Sequence, residues 1–332
     1  MKYSVYGFGN ALVDHEIAVT EEDLQSLEVK KSLMVLVDEA RQQKLLSGIK
    51  HKIKKRSCGG SAANTIITSQ QLDAKSFYSY KVANDEAGDF FYQDLKGHLV
   101  DSNFDQTGRP EGTTGKCLVM ITPDAERSME TFLGITATVS EKQLDYDALK
   151  NSKYFYIEGY LVASPTAMDA VLAAKKFCKE NKIKTSLSFS DPGIVDFFRD
   201  GMNEIVGDGL DLIFANEKEA LSFTSTTSVQ EAVEKMKQHA KAFVITRGAL
   251  GSLVYDGKSL HTVDGFKVDA IDTTGAGDVF AGAFLASIEK GFEYKVAAKI
   301  ANYAASLVVA KYGARLDENE ISNVKKLMAE PS

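Results

Sequence analysis

The sequence predicts an α/β protein built on a mostly parallel sheet with helices on both faces. Two observations carry that expectation. Apolar runs of strand character alternate with amphipathic helical runs through the C-terminal two-thirds, joined by short connections. The composition, 44% hydrophobic and 26% charged over 332 residues, leaves ample apolar material for a large core. No linker rich in Pro, Gly or Ser and no internal repeat divides the chain, so residues 1–332 read as one domain.

The elements follow in order. Residues 2–7 read as a first buried strand. Residues 19–56 interrupt the alternation with a charged segment, and 116–122 and 130–133 return to strand character, as an insertion covering the active face of an α/β core would. The basic run 51–56 (HKIKKR) reads as a solvated helix end or turn. Residues 154–158 read as a strand, and 166–180 as a helix whose Met168, Val171, Leu172 and Phe177 recur at helical spacing. Strands follow at 183–189, 210–215 and 242–246. Ser228 with Glu231 forms a capping-box signature for a helix running to about Ala240. From Gly251 to about Ala270 the pattern is β-rich, with turns at Asp256-Gly257 and Asp264-Gly265. Two helices follow, 278–290 and 294–312, with Gly291 and Gly313 placed as their C-terminal glycines.

Charge and cysteine content exclude several classes. Lys plus Arg number 39 against 46 Asp plus Glu, a net charge of −7, which argues against a nucleic-acid or anionic-membrane surface. No apolar run approaches the roughly 18 residues that a membrane helix needs. Cys58, Cys117 and Cys178 are sparse and form no CxxC pair, as expected of buried free thiols in a reducing compartment. The N-terminus turns polar and glycine-rich after six residues, too soon for a signal peptide, so a cytoplasmic protein is expected.

Gly7-Phe-Gly9 begins like a dinucleotide fingerprint, but Leu12 replaces the third glycine, which close helix–strand packing needs. Gly257-Lys258-Ser259 ends like a Walker loop, yet Ser252 stands where its first glycine belongs. HExxH, GxSxG and protein-kinase signatures are missing as well. The informative segment is Asp272-Thr-Thr-Gly-Ala-Gly-Asp278-Val-Phe-Ala-Gly-Ala-Phe-Leu285. Glycines opening a helix leave backbone N–H groups converging on one point, a nest suited to a phosphate or a developing anion. Asp278 beside that nest either caps the helix or takes a proton from a substrate hydroxyl. Residue chemistry alone leaves both readings open.

This segment closely resembles the C-terminal signature of the PfkB (ribokinase-like) carbohydrate and nucleoside kinases. Three further elements resemble the family's other motifs in the expected order. They are Cys58-Gly-Gly-Ser-Ala-Ala-Asn64-Thr, Asn216-Glu-Lys-Glu219 and Thr246-Arg-Gly248-Ala-Leu-Gly251. The resemblance implies a three-layer α/β/α fold with a small β-rich lid, discontinuous over about 14–59 and 112–137. It implies ATP as co-substrate and Mg²⁺ as cofactor, with nucleoside or sugar as the small-molecule partner and a monomer or homodimer as the assembly.

Locally the chain is most similar to the adenosine-kinase branch, in Gly9-Asn10-Ala-Leu-Val-Asp14, in the long segment before Gly59-Gly60 and in Thr122-Pro-Asp-Ala-Glu-Arg127-Ser-Met129. On that resemblance Asp278 is the base, and the N–H groups of Gly275, Ala276 and Gly277 are the anion hole. Arg127 neutralises phosphate charge. Asn10, Asp14, Gly60, Ser61 and Asn64 hold the acceptor, and Leu36, Met129, Leu133 and Tyr160 surround its base. ATP contacts fall on Asn216, Thr246, Arg247, Gly248, Gly251, Thr274 and Asn302. Asn216 and Glu219 hold Mg²⁺ directly or through water, unless they simply start a helix. Asp272 and the Thr274 carbonyl are candidates for a monovalent cation such as K⁺. Asp14, Asp191, Asn216 and Thr246 are expected at or just past strand carboxyl ends, where open α/β sheets bind ligands. A sugar kinase of the same chemistry and a non-catalytic nucleoside-binding regulator are the alternatives.

Overall fold

The computed structural model describes residues 1–104, 108–124 and 126–330. A nine-stranded sheet runs in spatial order Leu260–Val263, Ser252–Tyr255, Ala240–Thr246, Leu210–Asn216, Lys184–Ser188, Ser152–Glu158, Tyr3–Phe8, Ser76–Ser79 and Asp101–Ser102. It is parallel from Ala240–Thr246 through Asp101–Ser102 and antiparallel at the two strands beyond. The strands are apolar on both faces because both faces are covered. Tyr154, Tyr156, Leu212 and Phe214 point into one helical layer, while Phe155, Ile157, Ile213 and Ala215 point into the other. That alternation follows from the two-residue period of a strand.

The chain leaves Tyr3–Phe8 toward one edge and returns at Ser152–Glu158 to build the other. These two neighbours are therefore a topological switch point. Loops diverge there and open a crevice at the strands' carboxyl ends.

A second, five-stranded sheet lies over that end, ordered Met34–Leu36, Arg127–Gly134, Thr114–Ile121, Leu12–Ala18 and Ile53–Gly59. One face packs Ile17, Leu118 and Met120 under Leu24, Leu45 and Ile49 of the helices Glu21–Ser26 and Glu39–Ile49. On the other, Cys117, Val119 and Ile121 gather with Leu12 and Met129. Within the segment 112–137, Ala125 lies outside the described residues.

Several local expectations need correction. The basic run 51–56 is a helix-end turn only at His51 and Lys52. After a short turn, Lys50–Lys52, it forms much of the strand Ile53–Gly59, with Arg56 held by both oxygens of Glu86 at 2.9 and 3.0 Å. Asp14 sits inside the strand Leu12–Ala18 and not past a strand end. The glycine-rich turn after the first strand feeds that strand and not a helix, which removes the dinucleotide reading. Ser228 caps its helix, but the helix is only Val229–Met236 and Glu231 does not close a capping box. Residues 264–270 form no strand. Gly313 does not terminate the helix before it, which ends at Val309. There the Val309 carbonyl accepts the N–H groups of Ile271 (2.7 Å) and Asp272 (3.2 Å), so tertiary bonds stop the helix early. All three cysteines are buried and unpaired. Among the described residues, no helix is long and apolar enough to cross a membrane.

Candidate active site

The crevice holds a cavity of about 550 Å³ between the two sheets, within the usual range for a small-molecule site. Its wall brings together groups from every motif singled out in the sequence. Asn10, Asp14, Gly60, Ser61 and Asn64 line one part. Leu36, Met129, Leu133 and Tyr160 line another, with Leu12, Met34 and Val119 beside them. Asn216, Glu219, Thr246, Gly248 and Thr274 lie further along, and Gly275, Ala276, Gly277, Asp278 and Arg127 lie between.

Asp278 stands in the first turn of the helix Ala276–Glu289. Its two oxygens accept from Ser61 Oγ at 2.6 Å and Asn64 Nδ2 at 3.0 Å, both from the start of the helix Ser61–Gln71. Two glycine-opened helices thus converge on one carboxylate. Gly275 is left-handed (φ 71°), and a Cβ there would lie 2.5 Å from the Ala314 Cβ, so the turn requires glycine. The nest is narrower than the sequence suggested. The Ala276 N–H already donates to the Thr273 carbonyl at 3.3 Å, whereas those of Gly275 and Gly277 meet no acceptor among the described residues. Gly60 (φ 100°) is equally constrained, since a Cβ would come within 2.2 Å of the Asn10 carbonyl oxygen.

Arg127 crosses from the small sheet to the signature loop. Nη1 donates to Thr274 Oγ1 and Nη2 to Thr273 Oγ1, each at 2.8 Å, and Nε lies 3.6 Å from Asp272. Asp272 is buried and outside the cavity wall. Its carboxylate accepts from the Thr274 N–H and hydroxyl (2.8 and 2.5 Å) and from the Gly313 N–H (3.0 Å), which makes it an organiser of the loop. Asn216 and Glu219 form a reciprocal capping box, so the plain helix-start reading is realised even though both line the cavity.

Arg247, Gly251 and Asn302, expected at ATP, are not in the lining of this cavity. Arg247 pairs with Glu217 (2.8 Å), and Gly251 forms a turn against Val263. Asn302 donates to Ser252 Oγ and to the Val263 and Asp264 carbonyls, each at 3.2 Å. Gly251 and Asn302 hold the antiparallel edge together, and Arg247 ties Thr246 to the helix Glu217–Thr224.

Glu158 was not anticipated. It is buried at the end of the strand Ser152–Glu158 and accepts from Asn10 Nδ2 (2.7 Å), the Asn10 N–H (3.3 Å) and the Ala62 N–H (2.9 Å). The available signal was a carboxylate ending an otherwise apolar strand. Burial pushes its carboxyl up to about 7 despite those bonds. Burial likewise raises Asp14 to about 7, opposed by Arg315 and reinforced by Glu16 and Asp278. Glu219 is raised to about 7 by burial, with Asp191 and Asp278 adding repulsion. Asp278 is raised to about 6 by burial, offset by the Ser61 and Asn64 bonds and by Arg127. A carboxylate so poised can take a proton from a bound hydroxyl, and the adjacent N–H groups can hold an anion. The crowding of acidic groups suits cationic or metal-bound ligands at the Glu219 end.

Comparison with known proteins agrees with this geometry. The chain is 28% identical over 339 residues to adenosine kinase of Saccharomyces cerevisiae, covering 96% of this chain and 98% of that one. It is 26% identical over 275 residues to ribokinase of Lactococcus lactis, covering 82% and 86%. The solved adenosine kinase of Sinorhizobium meliloti superposes with a TM-score of 0.91 at 30% identity, covering 98% of this chain and 99% of that one. The architecture is thus the ribokinase-like α/β fold. Residues 35–321 match the description "pfkB family carbohydrate kinase", and the chain belongs to that family of nucleoside and carbohydrate kinases.

Proposed function

We propose that the protein transfers the γ-phosphoryl group of ATP to the 5′-hydroxyl of a purine nucleoside, adenosine before others, forming AMP and ADP. The observation that carries this reading is the mixed polar and apolar cavity. Its lining joins the polar Asn10, Asp14, Gly60 and Asn64 with the apolar Leu36, Met129, Leu133 and Val119. A ribose has hydroxyls for the first and a purine has an apolar face for the second. The likeness to adenosine kinases over nearly the whole chain supports the same choice.

In this reading the whole chain is one catalytic domain, and the small sheet is its lid. Asp278 accepts the 5′-hydroxyl proton as the O5′–phosphorus bond forms and the bond to the ADP oxygen breaks. The N–H groups of Gly275 and Gly277 hold the transferring group, and Arg127 releases Thr273 and Thr274 to neutralise its charge. ATP extends past Asn216, Thr246 and Gly248. Asn216 and Glu219 fit a hydrated Mg²⁺, because the Glu219 carboxylate is crowded by Asp191 and Asp278 and gains from a cation. Bound Mg²⁺ supplies charge neutralisation at the phosphates.

The deciding test is ADP release over a panel of nucleosides and sugars. Adenosine is expected to exceed free ribose and fructose in kcat/KM by about a hundredfold, the worth of burying one base at about 25 cal/mol per Å². The ribokinase likeness favours a sugar as second reading. A hexose or pentose that outperforms every nucleoside establishes that reading. No ADP release with any acceptor points to a binding regulator.

Glu219→Gln is expected to raise the Mg²⁺ concentration for half-maximal rate by about tenfold. Its Tm should stay near that of the wild type, since Asn216 still caps the helix. An unchanged Mg²⁺ titration would return Glu219 to a capping role alone.

A further inference from the structure

The chemistry above leaves Arg315 unused. Arg315 lies in the loop between the helices Tyr294–Val309 and Glu318–Ala329, with 9% of its side chain exposed. Its guanidinium reaches three other elements. Nη1 pairs with Asp94 Oδ2 at 2.8 Å, Nη2 donates to the Cys58 carbonyl, and Nε donates to Asn64 Oδ1 at 3.4 Å. Asp94 also accepts the Cys58 N–H at 2.7 Å. Arg315 and Asp94 therefore grip both polar groups of Cys58, where the small sheet passes through Gly59-Gly60 into the helix Ser61–Gln71.

Asn64 stands between Arg315, which can only donate, and the Asp278 carboxylate, which can only accept. One orientation of its amide satisfies both, with oxygen toward Arg315 and nitrogen toward Asp278. The same loop braces the anion nest, through the Gly313 N–H to Asp272 and the packing of Ala314 against Gly275.

We propose that Arg315 is a positioning residue, which sets the Asn64 amide and the Cys58–Gly60 strand-to-helix junction and so places the acceptor hydroxyl relative to Asp278. This rests on phosphoryl transfer to an acceptor in this cavity and not on which acceptor is preferred. Arg315 also acts on charge. It opposes the upward push of burial, Glu16 and Asp278 on the Asp14 carboxyl. Asp94 faces it from the helix Glu86–Gly97 and His98 from that helix's C-cap, and Lys55 and Glu16 lie against Gly313.

The test compares Arg315→Met and Arg315→Lys, the second keeping the charge but not the fork. Both are expected to raise the acceptor KM about tenfold with ATP KM within about twofold, the loss of one charged hydrogen bond. The acid limb of kcat/KM should move to higher pH in the Met variant and stay near wild type in the Lys variant. Amide hydrogen exchange over residues 58–64 should accelerate in both unliganded proteins. Acceptor KM, acid limb and exchange all at wild-type values would overturn the proposal. So would acceptor and ATP KM rising together with an unmoved limb, the mark of a merely structural role. If Arg315→Met does not fold, the Lys variant decides, and a wild-type acceptor KM there refutes it. If the wild type phosphorylates no acceptor tried, exchange decides by itself, and equal rates over 58–64 refute it.

Discussion

Asp278→Asn is expected to lower kcat by about two to four orders of magnitude, the usual contribution of a positioned acid–base group. A primary hydroxyl is a poor nucleophile at neutral pH, so its attack gains from a carboxylate that takes the proton as the bond to phosphorus forms. Asn keeps the shape and can still accept from Ser61, which bonds Asp278 at 2.6 Å in the wild type. ATP affinity and Tm should therefore stay close to wild type. Steady-state kinetics with a calorimetric Tm check this, and near-normal turnover in the folded variant would make Asp278 a helix cap only. The pH profile gives a second readout. Burial raises the Asp278 carboxyl to about 6, so the active carboxylate is lost as pH falls through that value. The wild-type kcat/KM should show an acid limb between about pH 6 and 7, where Asp14 and Glu158 also titrate.

Asp14→Asn is expected to lower kcat/KM for the acceptor by about a hundredfold while making the unliganded protein more stable at pH 8. Charged hydrogen bonds to substrate hydroxyls are worth about 1.5–3 kcal/mol each, and about 1.4 kcal/mol is tenfold. The stability gain follows from linkage. Burial holds the proton on Asp14 up to about 7 in the folded chain, above the ordinary carboxylate range of the unfolded one. The unfolded chain loses that proton near about pH 4, so stability falls as pH rises from about 4 to about 7 and stays at its lower value above that. Asn removes the charge and the penalty. Thermal melts at pH 8 and pH 5 follow the effect, with the variant's advantage full at pH 8 and smaller at pH 5. A lower Tm at pH 8 would mean that the Asp14 charge stabilises the empty site, contrary to this account.

The parts of this protein that were legible in the sequence are those governed by local rules. Strand and helix periods differ, so the runs around 154–158 and 166–180 declared their types, and Ser152–Glu158 and Pro165–Asn181 formed there. The glycines beside Asp278 marked a helix start, and at Gly275 a Cβ would meet Ala314, so that turn holds glycine. Boundaries were less secure. The helix expected to reach residue 312 stops at Val309 because Ile271 and Asp272, distant in sequence, capture its last carbonyl.

The composition of the site belonged to the tertiary structure. Glu158 bonds Asn10 across 148 positions, and Arg315 bonds Asn64 across 251. No window of sequence contains either pair. Asp14 looked like a residue past a strand end and proved to lie inside a strand of the second sheet. By itself the sequence determined the alternation of strands and helices over the C-terminal two-thirds and the glycine turn that opens the helix at Asp278, since both depend on neighbours a few residues apart. Only the folded chain decided which carboxylates share one desolvated cavity and which arginines offset them, because burial and charge act through space.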